Sequence, residues 1–409
     1  MTRWRHADDD DRLRHLGHGY RESHRGIPKG LKLVVRSASA NLKSSVREVA
    51  MTETLVLSAG HQLRDQAGAL ADAVVACEFA RHPMLRTRYG AAGRAKSRQD
   101  AVYHLLHLAD ALDANSPALF NDYIGWAKVL LQHFGVSSED LDRHLECMAD
   151  VARKQMPPPV AASAVAMIDG ARTALPAMPS TTASVLDPGQ RLSPLAREYV
   201  RTMLGGYRQA ARQLVFDAAD RGEPVRQLYL QVFQPALREI GRLWQTRKIS
   251  VAQEHFCSAA TQIVMSQLLL RVPAAQRCGR GVVVACVSGD LHELGARMVG
   301  DFFEMAGWDA YFCGANTPHA AVVQSVVERA ADVLAVSATM GYHLHAVQDL
   351  IELVRADPRC ARLRVMVGGH PFTVDPTLWR TLGADGTAAD ADAAVALAGQ
   401  WLAGPASAP

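Results

Sequence analysis

The sequence lacks any C-x-x-C pair, and its seven cysteines are scattered along 409 residues. That excludes a zinc knuckle and fits a reducing compartment better than a disulfide-stapled secreted one. No apolar run approaches membrane-spanning length, and the amino terminus has no signal-peptide core. Charge of one sign is also missing. Lys plus Arg number 44 and Asp plus Glu 41, leaving +3, too little to argue for or against nucleic acid. No winged helix-turn-helix pattern opens the chain, which makes direct DNA binding by that route an unlikely role. What remains is a cytoplasmic globular protein, 49% hydrophobic and 21% charged. Its length calls for two or three domains.

From residue 280 onward, strand and helix patterns alternate. Continuous apolar runs at 282–287, 310–312, 333–337 and 365–368 read as buried parallel strands. Helical stretches at 294–306, 319–330, 343–355 and 390–402 separate or follow them. This predicts a doubly wound, Rossmann-like parallel sheet of about five strands, within a domain spanning 279–405. After the first run comes Asp290-Leu-His292-Glu-Leu-Gly295. A loop there sits at the carboxyl end of the sheet, where open α/β folds bind ligands. His292 can ligate a metal through one ring nitrogen while Asp290 accepts the other N–H and fixes the tautomer. Gly295 lets a helix start approach a bulky ligand. D-x-H-x-x-G is a weak motif by itself, and zinc would need ligands that the sequence does not cluster.

The rest of the chain is helical or loose. Residues 1–50, with four consecutive aspartates at 8–11, carry no helical stripe and read as a disordered tail, or even an upstream extension before Met51. Residues 51–175 repeat apolar positions at three and four, as in Val102, Leu105, Leu106, Ala109 and Leu112, and nowhere alternate with period two. A Pro/Ala/Ser linker covers 176–194. Four helices joined by tight turns, at 195–204, 206–220, 224–247 and 250–272, predict an antiparallel bundle within 195–275.

The order of strand, D-x-H-x-x-G, helix, Gly307-Trp308, strand and Cys313-Gly-Ala-Asn-Thr-Pro318, then Val336-Ser337-Ala-Thr339 and Val367-Gly368-Gly369-His370, resembles the cobalamin-binding domain of methionine synthase-like and mutase-like proteins. The resemblance implies that His292 is the lower cobalt ligand with Asp290 its hydrogen-bond partner. It implies also that Gly295, Ser337, Gly368 and Gly369 line the nucleotide tail. A helical bundle precedes this domain both in methyl carriers and in cobalamin photoreceptors. Here the bundle holds Trp244, nine residues, then Glu254-His255. That spacing resembles the light-sensing cobalamin repressors with a MerR-type DNA-binding domain, in which the tryptophan packs on the adenosyl group and the Glu-His pair flanks it. Those proteins follow the tryptophan with a histidine; here Gln245 stands there, which puts a bis-histidine lit state in doubt.

The amino-terminal helices look like globin-like sensor domains. Joined to a photoreceptor-type cobalamin module, they resemble the photocobilins, which pair cobalamin with biliverdin. By that resemblance Arg81, Arg86, Arg88 and Arg94 would meet the propionates, and His82, His104, His107 or Tyr89 the pyrrole nitrogens. Cys77 or Cys147 could attach a bilin, although buried structural cysteines are commoner. The plain reading turns His104 and His107 toward solvent or a neighbouring carboxylate. The leading expectation is a non-enzymatic light sensor binding adenosylcobalamin, whose output is homo-oligomerisation or a separate partner, since no effector domain follows residue 403. A methylcobalamin carrier for a methyltransferase system is the alternative, with a cobalamin-responsive antirepressor third. A mutase is disfavoured because no catalytic barrel precedes the module.

Overall fold

A computed structural model describes residues 58–403; the tail expected over 1–50 lies outside the described residues. Five helices come first. α1 (Ala59–Arg81) starts where the Ser58 hydroxyl accepts the His61 N–H at 3.1 Å, and α2 (Met84–Asp113) bends at Gly90, where φ is 63°. α3 (Pro117–His133) begins on proline and stops before Gly135 at φ 79°. α4 (Ser138–Gln155) opens on a Ser137/Asp140 capping box, and α5 (Pro158–Ala174) again starts on proline. Leu70, Val74, Leu108, Ile124, Leu145 and Ile168 meet in their common core.

After an irregular stretch come α6 (Ser193–Leu204), α7 (Arg208–Asp220), α8 (Val225–Leu228), α9 (Gln234–Gln245) and α10 (Val251–Leu269). The single helix expected over 224–247 is interrupted: a π turn at Tyr229–Phe233 joins α8 to α9. The extra residue of such a turn re-aims side chains, and here Tyr229, Val232 and Phe233 are all fully buried.

The α/β part comprises β1 (Gly281–Cys286), α11 (Leu294–Met305), β2 (Asp309–Phe312), α12 (His319–Glu328), β3 (Val333–Ser337), α13 (Leu344–Ala356), β4 (Arg364–Gly368), α14 (His370–Val374), α15 (Leu378–Thr381), β5 (Gly386–Thr387) and α16 (Ala391–Leu402). All strand pairs are parallel, in the order β2-β1-β3-β4-β5. The chain winds both ways from β1, so the switch point lies between β1 and β3. Alternate strand residues face opposite helix layers. Val283, Leu334, Val336 and Val365 pack with α12, α13 and the amino-terminal helices, while Val282, Val284, Ala335 and Met366 pack with α11 and α16.

The second helical set docks on α11, where Met298 and Phe302 join its core. At that seam the Tyr229 hydroxyl donates to Asp301 Oδ2 at 2.8 Å. Burial raises the Asp301 pKa to about 6 despite that bond and nearby Arg297. The folded state therefore holds a proton that the unfolded chain releases, and stability falls as pH rises from about 4 to about 6, by roughly 3 kcal/mol if the shift is fully expressed. Asp301→Asn should accordingly leave the unfolding midpoint at pH 4 near wild type and raise it at pH 7.5, as chemical denaturation at the two pH values would register. An equal midpoint at pH 7.5 would mean that the carboxylate ionises there without cost.

Candidate cobalamin site

Val287 ends the first strand run, and Ser288-Gly289 turns the chain, with Gly289 at φ 88°. This delivers Asp290 to the switch-point crevice, where it is fully buried. Its Oδ1 accepts both the His292 backbone N–H at 2.9 Å and His292 Nδ1 at 2.8 Å. Its Oδ2 accepts the Thr339 N–H at 2.6 Å, and His343 Nδ1 lies 3.7 Å away. Burial alone would raise this carboxyl; the bonds from His292 and the Thr339 amide, with the His343 ring nearby, outweigh it and hold the pKa far below the usual range. An ionised Asp290 selects the tautomer with the proton on Nδ1 and the basic lone pair on Nε2. The His292 side chain is 59% exposed, so this diad presents an oriented imidazole at the mouth of the crevice.

The neighbouring loops brace it. Asn316, held at φ 48°, accepts the Gly289 N–H on its Oδ1 at 2.7 Å and donates its own N–H to the Asp290 carbonyl at 2.9 Å. Glu293 accepts from the Ala315 N–H at 3.1 Å and from Gln262 Nε2 of α10 at 3.0 Å. Ser337 is in register with Cys286 and Gly368, and Ala338 N–H donates to the Gly368 carbonyl at 3.0 Å. The two glycines at the end of β4, Gly368 within it and Gly369 just after, differ in kind. Gly369 sits at φ 113°, and a Cβ there would fall 1.9 Å from the Ala338 carbonyl oxygen, whereas a Cβ on Gly368 or on Gly295 would meet nothing within 4 Å. The open space at Gly295 and Gly368, beside an exposed imidazole on a buried carboxylate, fits a bulky group carried on a nitrogen-ligated metal.

Trp244, the penultimate residue of α9, is half-buried, with Trp126 of α3 stacked on it at 6.3 Å. Gln245 is buried and donates Nε2 to the Trp126 carbonyl at 3.0 Å. It is thus committed to the amino-terminal helices, which removes it as the counterpart of an upper histidine ligand. Glu254 and His255 lie on the first turn of α10, 3.4 Å apart, and the Ser258 hydroxyl donates to Glu254 at 2.8 Å.

Most of the amino-terminal candidates are engaged with partners within the helices. Arg86 is exposed. Arg88 pairs with Asp140 at 2.9 Å and donates to the Gly135 carbonyl, while the Tyr89 hydroxyl donates to the same carboxylate at 3.0 Å. Arg81 pairs with Asp150, and Arg94 lies over Phe79. His104 and His107 are buried, contrary to the solvent-facing expectation. His104 Nδ1 bonds the Tyr123 hydroxyl at 2.7 Å, and His107 stacks on the Tyr123 ring at 3.5 Å. The face of α2 that carries them is turned into α3 and the 3₁₀ turn Gly341–His343, so burial holds His107 neutral, with its pKa lowered to about 3.

Sequence reasoning did not find Thr339, His343, Asn316 or Asp110. Asp110 is the least expected. Its buried carboxylate takes the Leu344 N–H at 3.0 Å and His345 Nδ1 at 3.1 Å, pairing also with Arg64. It caps α13 from α2, and no local signal could have announced it.

Family models described as a B12 binding domain match residues 280–396 and residues 195–269. Dimethylamine corrinoid protein 3 of Methanosarcina acetivorans is 27% identical over 196 residues, covering 47% of this chain and 91% of its own. The HTH-type transcriptional repressor CarA of Myxococcus xanthus is 34% identical over 139 residues, 33% of this chain and 44% of its own. Among solved structures, the monomethylamine corrinoid protein of Methanosarcina barkeri aligns at a TM-score of 0.46 and 18% identity, over 51% of this chain and 98% of its own. With a helical segment and a parallel-sheet domain that both match B12-binding models, the chain is a cobalamin-binding protein.

Proposed function

We propose that this protein is a corrinoid carrier, holding its cofactor by His292 and offering it to a separate partner protein. The observation that carries this reading is the Asp290–His292 diad, an exposed imidazole with a fixed tautomer at the sheet's switch point. Similarity to dimethylamine corrinoid proteins along 91% of one such chain supports a methyl-transfer system as its setting. When bound, the corrinoid supplies the reactive metal–carbon bond. Every other task falls to the chain: His292 donates its Nε2 lone pair, Asp290 holds the Nδ1 proton, and Thr339 and Asn316 keep that loop in place. Ser337, Gly295 and Gly368 leave room for the nucleotide tail. The protein has no catalytic turnover of its own in this reading.

Gly368→Ala should fold normally, since nothing lies within 4 Å of the added Cβ, yet retain cobalamin poorly. Gly369→Ala should unfold earlier in denaturant even without cofactor, because its φ of 113° and the Ala338 carbonyl leave no place for a side chain. Normal cobalamin retention by a folded Gly368→Ala protein would remove the nucleotide tail from that position.

One contact favours light sensing as a second reading. Trp244, the residue that would pack on an adenosyl group, stacks on Trp126 at 6.3 Å, so loss of that group would be felt in the amino-terminal helices. Under this reading adenosylcobalamin is the cofactor, Trp244, Glu254 and His255 form its upper wall, and the output is a changed oligomer or partner. Biliverdin has weaker support, since Arg88, Tyr89, His104 and His107 are engaged with Asp140 and Tyr123. Loading with methylcobalamin or adenosylcobalamin in the dark, then illuminating, separates the readings. The carrier should bind the methyl form stably, release its methyl group to a thiol acceptor only when a methyltransferase partner is added, and keep its elution volume in green light. A light-driven change in elution confined to the adenosyl form would replace the carrier by the sensor.

A further inference from the structure

Cys77 of α1 and Cys147 of α4 lie outside the crevice, and neither functional reading uses them. Folding brings their sulfur atoms to 2.9 Å across 70 residues of sequence. Two further cross-links flank them on the same seam: Glu78 with His144 at 3.2 Å, and Arg81 with Asp150. Those pairs hold the two helices in register whatever the thiols do. The thiols themselves are unequal, Cys77 being half-buried and Cys147 buried. Burial pushes the Cys147 thiol up. An approachable thiol touching a buried one is the arrangement in which the first reacts and the second resolves.

We propose that Cys77 and Cys147 form a reversible disulfide that ties α1 to α4, with a low-molecular-weight disulfide such as oxidised glutathione as the oxidant. The Cys77 thiolate attacks one sulfur of glutathione disulfide; that S–S bond breaks, and one glutathione leaves and takes up a proton. Cys147 then loses its proton to water and attacks the Cys77 sulfur, and the mixed disulfide breaks to release the second glutathione. Two protein thiols lose two electrons in all, and one glutathione disulfide becomes two thiols. The loop so closed contains all of α2 and α3. Those helices carry Asp110 and His107 to the α/β part and Trp126 to α9, so the bridge restrains the elements that meet the crevice. The inference holds for either function.

The test is peptide mapping of the full chain after incubation with oxidised glutathione. A peptide containing Cys77 linked to one containing Cys147 is expected, with the link reversed by dithiothreitol. Cys147→Ser should stop at a glutathione adduct on Cys77, and in Cys77→Ser the Cys147 thiol should stay unmodified. If both thiols in the wild-type chain remain open to alkylation on denaturation while exposed Cys278 carries glutathione, the proposal is overturned. It is overturned equally if Cys147 takes up glutathione in Cys77→Ser, because Cys147 would then be no buried resolving thiol.

Discussion

His292→Ala is expected to fold as the wild type does and to lose the nitrogen-ligated, base-off absorption of bound cobalamin. The side chain is 59% exposed, so its removal leaves no cavity in the core and strands no buried partner except Asp290. That carboxylate keeps the Thr339 and residue-292 backbone amides. Affinity should fall by roughly 10–100-fold or more, the scale seen even when only an outer-sphere partner of a metal ligand is lost. Asp290→Asn tests the other half of the diad. An amide has one accepting oxygen, so it keeps only one of the two backbone N–H groups that bond separate oxygens of Asp290, and it loses the charge that makes the imidazole a strong donor. Equilibrium dialysis with hydroxocobalamin, read with the visible spectrum, checks both variants. An unchanged spectrum in His292→Ala would take the lower-ligand role away from this residue.

The second large effect belongs to stability. Asp110→Ala removes one buried carboxylate that serves three neighbours at once. Arg64, with a side chain only 17% exposed, keeps a bond to Asp113 at 3.2 Å but loses its main counter-ion, and the first amide of α13 loses its cap. Breaking a buried ion pair from one side costs roughly 3–5 kcal/mol. The pH dependence follows from the sign of the shift. Burial by itself would raise the Asp110 pKa, but His345 and Arg64 outweigh it and the net shift is downward. Its stabilisation is therefore complete above the ordinary carboxylate range and disappears as pH falls through the lowered folded value. Urea unfolding at pH 7 should show the full loss in Asp110→Ala, and the gap to wild type should narrow in strong acid. A gap that stayed constant with pH would mean that packing rather than charge is at stake.

Much of the α/β part was legible because its determinants are local. The apolar runs at 282–287, 310–312, 333–337 and 365–368 lie within or beside β1 to β4; β1, β3 and β4 are buried strands, while β2 is a half-exposed edge strand despite its run. β5 is two residues long and paired through Met366 and Val367, too short to leave a pattern. Asp290 and His292, two residues apart, could be paired on paper. Thr339 and His343 could not, because they reach Asp290 through a sheet register that places β3 beside β1. His104 and His107 mislead for the opposite reason: three-residue spacing shows that they share a face, not which way that face is turned. Tyr123 and Tyr342, on other elements, decide that.

The rings stacked from Trp244 through Trp126 and Tyr123 to His107, and continued edge-on to Tyr342 and His343, have a consequence for any macromolecule that must reach the cofactor. They seat α2 on the loop that follows β3, at the same end of the sheet as His292, and α3 on α9. Under the carrier reading, a visitor approaching from that side would compete with the chain's own helices, and its apparent affinity would scale with the fraction of molecules in which they stand clear. Weakening this seat, as Trp126→Ala would, should make docking tighter while leaving the docking surface itself untouched.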